Sequence, residues 1–322
     1  MSTIPDAIDV YNSTIREDDR NSYKNALAEQ GDWNNWSFEV VDGFFAQSLP
    51  ETDETTFDYF KEHFGRLKSW DQTFQEIEQL NEQSDDKTVY KLFFLGRHGQ
   101  GYHNLANLKY GEKEWNRYWS RVCGDDEMTW APDPELTELG VSQAKDNERQ
   151  VGIELKDNMK LPTKWYSSPF RRSIDTLIGT WEGHVDIAKV SPLIKEDLRE
   201  TIGIHICDKR SPRSVIADKY LGKGFRIEEG FVEEDIYFKN DYREKVWEQA
   251  LRMNRSFNYI FDNTDKKKDQ FVSITSHSGS IRTQLMVLGH RAFAIGTGGM
   301  IPVVVKATKL SKGEEGLTKI IT

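Results

Sequence analysis

Apolar residues in this chain fall into two patterns. Some form short, nearly continuous stretches, and others recur every three to four positions along longer polar segments. The first pattern marks buried strands and the second amphipathic helices. Val89 to Leu95 is aliphatic and aromatic apart from Lys91 and stops at Gly96-Arg97-His98-Gly99, which predicts a buried strand ending in a loop. Further strands are predicted at Lys164 to Ser167, Val185 to Val190, Phe271 to Thr275 and Ile301 to Val305. Helical spacing joins Phe57, Phe60, Phe64 and Leu67, and again Trp70, Phe74, Ile77 and Leu80. It also joins Leu136, Leu139, Ala144, Asn147, Val151 and Leu155, then Phe170, Ile174, Leu177 and Trp181, and then Val246, Ala250, Met253, Phe257 and Ile260. Ser168-Pro169 is a cap and first-turn pair for the helix that begins near Phe170. A short helix is expected from Ser278 through Leu288.

Strands alternating with helices predict an α/β fold, a three-layer α/β/α arrangement around a mostly parallel central sheet. Residues 1–30 are polar and are expected to be irregular and poorly ordered. Trp33, Trp36, Phe38, Phe44 and Phe45 are expected to pack on the outside of a domain. Residues 1–85 thus read as an N-terminal, largely helical extension packing on the core, and 86–322 as the main domain. That domain carries an insertion at about 105–133, where Trp115, Tyr118, Trp119 and Trp130 sit among many charges. The insertion reads either as a lid or wall over a site or as a surface excursion. Residues 193–240 are expected to be irregular.

Composition narrows the function classes. The chain has 322 residues, 37% of them hydrophobic and 12% aromatic, enough for a large core. Its 43 basic and 53 acidic residues give a net charge of -10, which argues against nucleic-acid or anionic-membrane partners. Local arginines can still bind a small anion. Cys123 and Cys207 are the only cysteines, so neither a disulfide framework nor a cysteine-rich metal site is implied. Met1 to Tyr11 has no basic-then-apolar targeting pattern, and no apolar run nears the roughly 20 residues of a membrane span. The expectation is a soluble cytoplasmic protein, with a nuclear location left open. Asn12, Asn35 and Asn254 match the glycosylation pattern by chance on this reading.

The charged residues that matter lie at predicted strand ends, where open α/β sheets bind ligands. Arg97 and His98 follow the first strand, Arg172 begins the helix after the second, and His277 follows the fourth at the start of a helix whose amides favour an anion. Gly99 and Gly101 would let the backbone approach that anion. Two arginines and two histidines around one point suit a dianion, and a phosphoryl group is the natural occupant.

At these residues the chain resembles the histidine phosphatase superfamily, the group that includes phosphoglycerate mutases. Arg97-His98-Gly99 with Asn104 resembles its first motif, and Asp133-Pro134-Glu135-Leu136-Thr137-Glu138-Leu139-Gly140 with Gln143-Ala144 its helix-opening segment. Ser167-Ser168-Pro169-Phe170-Arg171-Arg172 with Thr176 resembles the second arginine motif, whose spacing picks Arg172 over Arg171. Leu198-Arg199-Glu200 resembles the acid-bearing segment, and Ser276-His277-Ser278-Gly279-Ser280-Ile281-Arg282 the second histidine motif. The resemblance covers about residues 89–308. Gly99-Gln100-Gly101-Tyr102-His103-Asn104, Cys207-Asp208-Lys209-Arg210 and the extension with Trp70 look closest to a fungal and plant phosphomutase-like branch.

The resemblance implies a phosphoglycerate mutase-like fold and phosphoryl transfer through a phosphohistidine on His98. Arg97, Arg172 and His277 would stabilise the transferring group, Asn104 and Ser278 would help bind it, and Glu200 would be the general acid and base. Glu196 and Asp197 remain rivals for the acid, because the Asp that follows the second His in part of the superfamily is Ser278 here. No metal or other cofactor is implied, since the arginines neutralise the dianion. The expected partner is a small phosphorylated substrate, and the sequence carries no signal for oligomeric state. His103, His205, Lys209 and Arg210 either touch substrate or face solvent, and His63, His184 and His290 read as structural. After Glu200 the chain runs Thr201-Ile202-Gly203-Ile204-His205, without the Arg and Tyr of the glycolytic mutases. Hydrolysis is therefore favoured over mutase activity, with a non-catalytic phospho-ligand binder as the third reading.

Overall fold

The computed structural model describes residues 4–29 and 33–311, so the ends of the expected division, at 1–3 and 312–322, lie outside the described residues. The strands are β1 (Trp36–Val40), β2 (Thr88–Arg97), β3 (Lys164–Ser167), β4 (Leu193–Ile194), β5 (Arg226–Ile227), β6 (Phe271–Ser276) and β7 (Met300–Lys309). They form one sheet in the order β1-β7-β2-β6-β3-β4-β5. The pairs β2–β6, β6–β3, β3–β4 and β4–β5 are parallel, whereas β7 is antiparallel to both β2 and β1.

The helices are α1 (Ala7–Ser13), α2 (Glu17–Glu29), α3 (Trp70–Gln83), α4 (Tyr102–Tyr110), α5 (Glu112–Arg117), α6 (Glu138–Lys156), α7 (Arg171–Trp181), α8 (Ile187–Val190), α9 (Arg213–Tyr220), α10 (Val246–Asp262) and α11 (Ser278–Val287). Strand β2 explains the layering. Its neighbours Phe93 and Leu95 join a core formed with α2, α10 and α11, while Leu92 and Phe94 join one formed with α3, α6, α7 and α9. A strand buried on both faces must be apolar at consecutive positions, which is why its sequence runs rather than alternates. Fully burying each such side chain is worth about 1.5–3 kcal/mol relative to exposure. Among the described residues no helix is long and apolar enough to cross a membrane.

Three local expectations are corrected. The first concerns residues 4–29, which are not irregular but contain two helices. Asp6 and Asp9 form a reciprocal capping box on α1, and Glu17, Asp18 and Asp19 supply negative charge to the first turn of α2. Tyr23 of α2 is buried and accepts a hydrogen bond at 2.6 Å from Asn254 Nδ2 on α10. The stretch Phe57 to Leu67, secondly, is not a helix. It consists of turns with a short 3-10 helix, His63–Gly65, in which His63, Phe64 and Gly65 take φ of 50°, 59° and 79°. Its aromatic spacing serves separate contacts instead, with Phe57 edge-on to Phe293 and Phe64 edge-on to Phe94. Lastly, Val185 to Val190 is not a strand. Asp186 caps α8 by accepting from the Ala188 N–H at 3.1 Å, and the strand falls at β4.

The aromatic stretch near Trp36 contributes edge strand β1, with Trp36 Nε1 donating to Asp262 at 2.8 Å. The 105–133 insertion carries its own small core, in which Tyr110 stacks on Trp119 at 3.8 Å and Trp115 and Trp130 are buried. The expected irregular segment 193–240 includes β4, α9 and β5.

Candidate active site

The parallel register of β2, β6 and β3 sets the site. Arg97 pairs with Ser276, and Ser167 with Thr275, so the residues just past these strands meet at one end of the sheet. The His98 and His277 rings lie 4.9 Å apart, edge to face. The Phe170 ring stands 5.1 Å from His277 and carries the Arg172 guanidinium 4.3 Å above its centre. Arg97 is 6% exposed, His98 2%, and Arg172 and His277 are fully buried.

A hydrogen bond fixes the tautomer of His98. His98 Nδ1 lies 2.7 Å from the Gly99 carbonyl, which can only accept, so Nδ1 carries the proton and Nε2 keeps a lone pair. His277 Nε2 lies 2.7 Å from the Ser168 hydroxyl and 3.2 Å from that of Ser173. Ser173 donates to the Ser276 carbonyl, and with Ser168 as donor to Nε2 the His277 proton sits on Nδ1. Burial, then the Arg172 and Arg97 charges, holds His98 well below the ordinary histidine range. Burial, then Arg172, does the same to His277.

Arg172 is anchored by the Cys207 carbonyl and by Asp208, both at 3.1 Å. Arg171 points away, donating to the Asp133 carbonyl and to Glu135. Thr176 accepts the Gly99 N–H at 2.9 Å and donates to the Arg172 carbonyl at 2.7 Å, tying the two arginine motifs together. The expected use of the glycines is corrected here. A side chain at Gly99 would meet the Gly140 carbonyl oxygen at 2.3 Å, and one at Gly101 the His103 ring at 2.7 Å, so both make room for protein rather than for an anion.

Arg97 Nε, Arg172 Nε and His277 Nδ1 are buried and have no hydrogen-bond partner among the described residues. Buried donors are ordinarily paired. Three such nitrogens around one point can receive the oxygens of a tetrahedral anion beside His98.

A cavity of about 650 Å³ opens in front of this cluster, with Arg97, Asn104, Glu200 and Ser278 on its wall. Asn104 also caps α4, accepting the Gly101 N–H at 2.9 Å. Glu200 accepts from the Thr201 N–H at 2.8 Å and from the Gly279 N–H, at the start of α11, at 3.2 Å. The group at that helix end is therefore a side chain of the protein itself. Its sequence rivals are elsewhere. Glu196 is bound to Arg199 and Arg210, both at 2.8 Å, and Asp197 to Arg255 at 2.9 Å.

His103 and His205 line the cavity, with the His103 ring 5.4 Å from His98. Burial lowers both, His205 to about 3 with help from Arg243. Arg210 is buried against Glu196 and four backbone carbonyls, and Lys209 lies over the Phe238 ring, so neither lines the cavity. His63 is held by Glu154, His184 by the Glu148 carbonyl and His290 by that of Arg291. The insertion supplies cavity wall through Leu108 and Trp115.

Three residues escaped the sequence reading. Asp9 and Arg243 line the cavity, and Arg243 shares Asp208 with Arg172. Arg252 donates to the carbonyls of Asp197, Arg199 and Glu200 and so pins the backbone that carries Glu200. Such residues look like ordinary surface charges, and only the approach of distant segments gives them their partners.

No protein-family model matches the chain. It is 36% identical over 289 residues to a probable phosphoglycerate mutase of Arthroderma benhamiae, covering 84% of each chain. It is 33% identical over 295 residues to a probable phosphoglycerate mutase of Saccharomyces cerevisiae, covering 84% of this chain and 96% of that one. A mycobacterial glucosyl-3-phosphoglycerate phosphatase structure is similar at a TM-score of 0.39 and 20% identity, over 66% of this chain and 92% of that one. Identity of this order with the fungal relatives, over 84% of the chain, shows the family: the chain belongs to the phosphoglycerate mutase-like members of the histidine phosphatase superfamily.

Proposed function

We propose that this protein is a phosphatase that hydrolyses small phosphorylated metabolites through a phosphohistidine on His98. The observation that carries the reading is the bond from His98 Nδ1 to the Gly99 carbonyl, which leaves Nε2 free beside Arg97, Arg172 and His277. His98 is held neutral by burial and by the two arginines, so its lone pair is available at ordinary pH.

In the first step Nε2 attacks phosphorus in line, and the bond to the leaving oxygen breaks. Arg97, Arg172 and the Nδ1–H of His277 meet the negative charge on the non-bridging oxygens. Glu200 gives its proton to the leaving oxygen. In the second step water attacks the phosphohistidine, Glu200 takes the water's proton, and inorganic phosphate and free His98 result. The positive charge is supplied by protein side chains, and no metal or other cofactor is invoked.

Hydrolysis is preferred because the segment after Glu200 lacks the Arg and Tyr of the glycolytic mutases. A mutase is the second reading, favoured by the deep burial of His98 and Arg172, since a mutase must keep water from its phosphoenzyme. Rapid quench with labelled phosphoglycerate and sugar phosphates tests both. The expected result is acid-labile, base-stable label on His98 and release of inorganic phosphate, with His98→Ala losing label and several orders of magnitude of turnover. Acid-stable label rejects the mechanism, and isomerisation of phosphoglycerate without phosphate release rejects hydrolysis.

A further inference from the structure

Arg97 already holds an anion. Its Nη1 lies 2.6 Å from Oδ1 of Asp9 on α1, and also 2.6 Å from the Ile295 carbonyl. The other carboxylate oxygen of Asp9 accepts from the Asp6 N–H at 3.3 Å. A second tie joins the same segment to the site, from Arg282 Nη1 to the Asn12 carbonyl at 3.0 Å. Ile4, Asp6, Ile8, Asp9, Tyr11 and Asn12 together make one side of the cavity.

The groups behind this wall are deeply buried. His98 is 2% exposed and Arg172 and His277 are 0% exposed, so displacement of this wall would widen the path of an incoming phosphoryl group to them. One such wall, α1, has a weak hold of its own. It has seven residues, of which only Ser13 is buried, and Tyr11 is 66% exposed. A helix that short is not stable on its own in water. It packs against α11 and is tied by polar contacts through Asp9 and Asn12, whereas β2, β6 and α7 are core elements. A dianion arriving at Arg97 is also repelled by a carboxylate already bound there.

We propose that residues 4–14 form a displaceable strap over the phosphate site, with Asp9 competing with the phosphoryl group for Arg97. The proposal rests on the cluster of Arg97, His98, Arg172 and His277 being the phosphate site. Docking of the strap and binding of phosphate then oppose each other, and the coupling is reciprocal. Phosphate loosens the strap, and re-docking of Asp9 helps to expel product phosphate.

The test is titration of inorganic phosphate into the full-length protein, the Asp9→Asn variant and the Arg172→Ala variant, by calorimetry, with amide hydrogen exchange followed over residues 7–13. Asp9→Asn keeps the size of the side chain and removes its charge. It is expected to bind phosphate about tenfold more tightly, within the usual range of coupling between linked sites. Phosphate is expected to speed exchange in residues 7–13 of the unsubstituted protein. Equal or weaker phosphate binding by Asp9→Asn, or protection of residues 7–13 by phosphate, overturns the strap and makes Asp9 a positioning residue for Arg97. Arg172→Ala separates the two levels of the argument. If it binds phosphate as the unsubstituted protein does, or if none of the three proteins binds it, the phosphate site itself is wrong and the strap falls with it.

Discussion

The hydroxyl of Ser168 lies 2.7 Å from Nε2 of His277, and the direction of this contact sets which nitrogen of His277 carries the proton. With Ser168 as the donor, Nδ1 of His277 is protonated without the ring being charged. The imidazole can then give a hydrogen bond to a phosphoryl oxygen while staying neutral. Loss of one such neutral hydrogen bond is worth about 0.5–1.5 kcal/mol. Ser168→Ala is therefore expected to lower kcat/KM by up to about tenfold, measured on a phosphomonoester under steady-state conditions. An unchanged kcat/KM shows that the tautomer is held by something other than Ser168.

Arg171 and Arg172 are neighbours with opposite duties. Arg172 is fully buried against Phe170 and Asp208, and Arg171 clamps the Asp133 carbonyl. Arg172→Lys keeps the charge but loses the planar fork, and is expected to lower kcat/KM by about 10²-fold or more. Arg171→Ala is expected to lower the melting temperature while leaving kcat/KM within a few fold. Reversed effects would move the anion-binding role to Arg171.

Glu200 is tested through the leaving group. An alkyl alkoxide needs a proton as the P–O bond breaks, and a positioned acid contributes about 10²–10⁴-fold. A nitrophenolate leaves with little help. Glu200→Gln should therefore slow phosphorylation by a sugar phosphate far more than by p-nitrophenyl phosphate, with a nitrophenol burst because the same residue serves water. Asp197→Asn and Glu196→Gln should lack this selectivity, since those carboxylates are bound to Arg255 and to Arg199 and Arg210. Selectivity in either of them reassigns the acid.

Stability should fall on acidification partly through His290. This side chain is 1% exposed, and burial lowers it to about 4. Between roughly pH 6.5, the ordinary histidine value, and that lowered value, the unfolded chain binds a proton here that the folded chain refuses. Folding stability from this group is therefore present above that window and is lost as pH falls through it, at up to about 1.4 kcal/mol per pH unit. Urea unfolding at pH 7 and pH 5 should show a shallower pH dependence for His290→Gln than for the unsubstituted protein. Identical slopes would place the acid sensitivity elsewhere.

The sequence by itself determined what local chemistry and burial pattern can encode. The run through Phe93, Phe94 and Leu95 is readable because a central strand is apolar on both faces, so neighbours in sequence go to different cores. Arg97, His98, Arg172 and His277 are readable because each sits at the end of such an element, in a motif whose order carries the family. The tertiary structure decided what depends on segments far apart in the chain. Asp9 is one acid in a polar stretch until the fold brings it to Arg97, 88 residues away. Glu200 and its neighbours Glu196 and Asp197 look alike in sequence, and packing alone gives two of them arginine partners and leaves the third on the cavity wall. The same holds for Phe57 to Leu67, where helical spacing was present but Gly65 turns the chain, and each aromatic ring is buried by a different partner. Spacing reports which residues are apolar. The energy that chooses among the shapes consistent with that spacing comes from contacts the spacing does not contain.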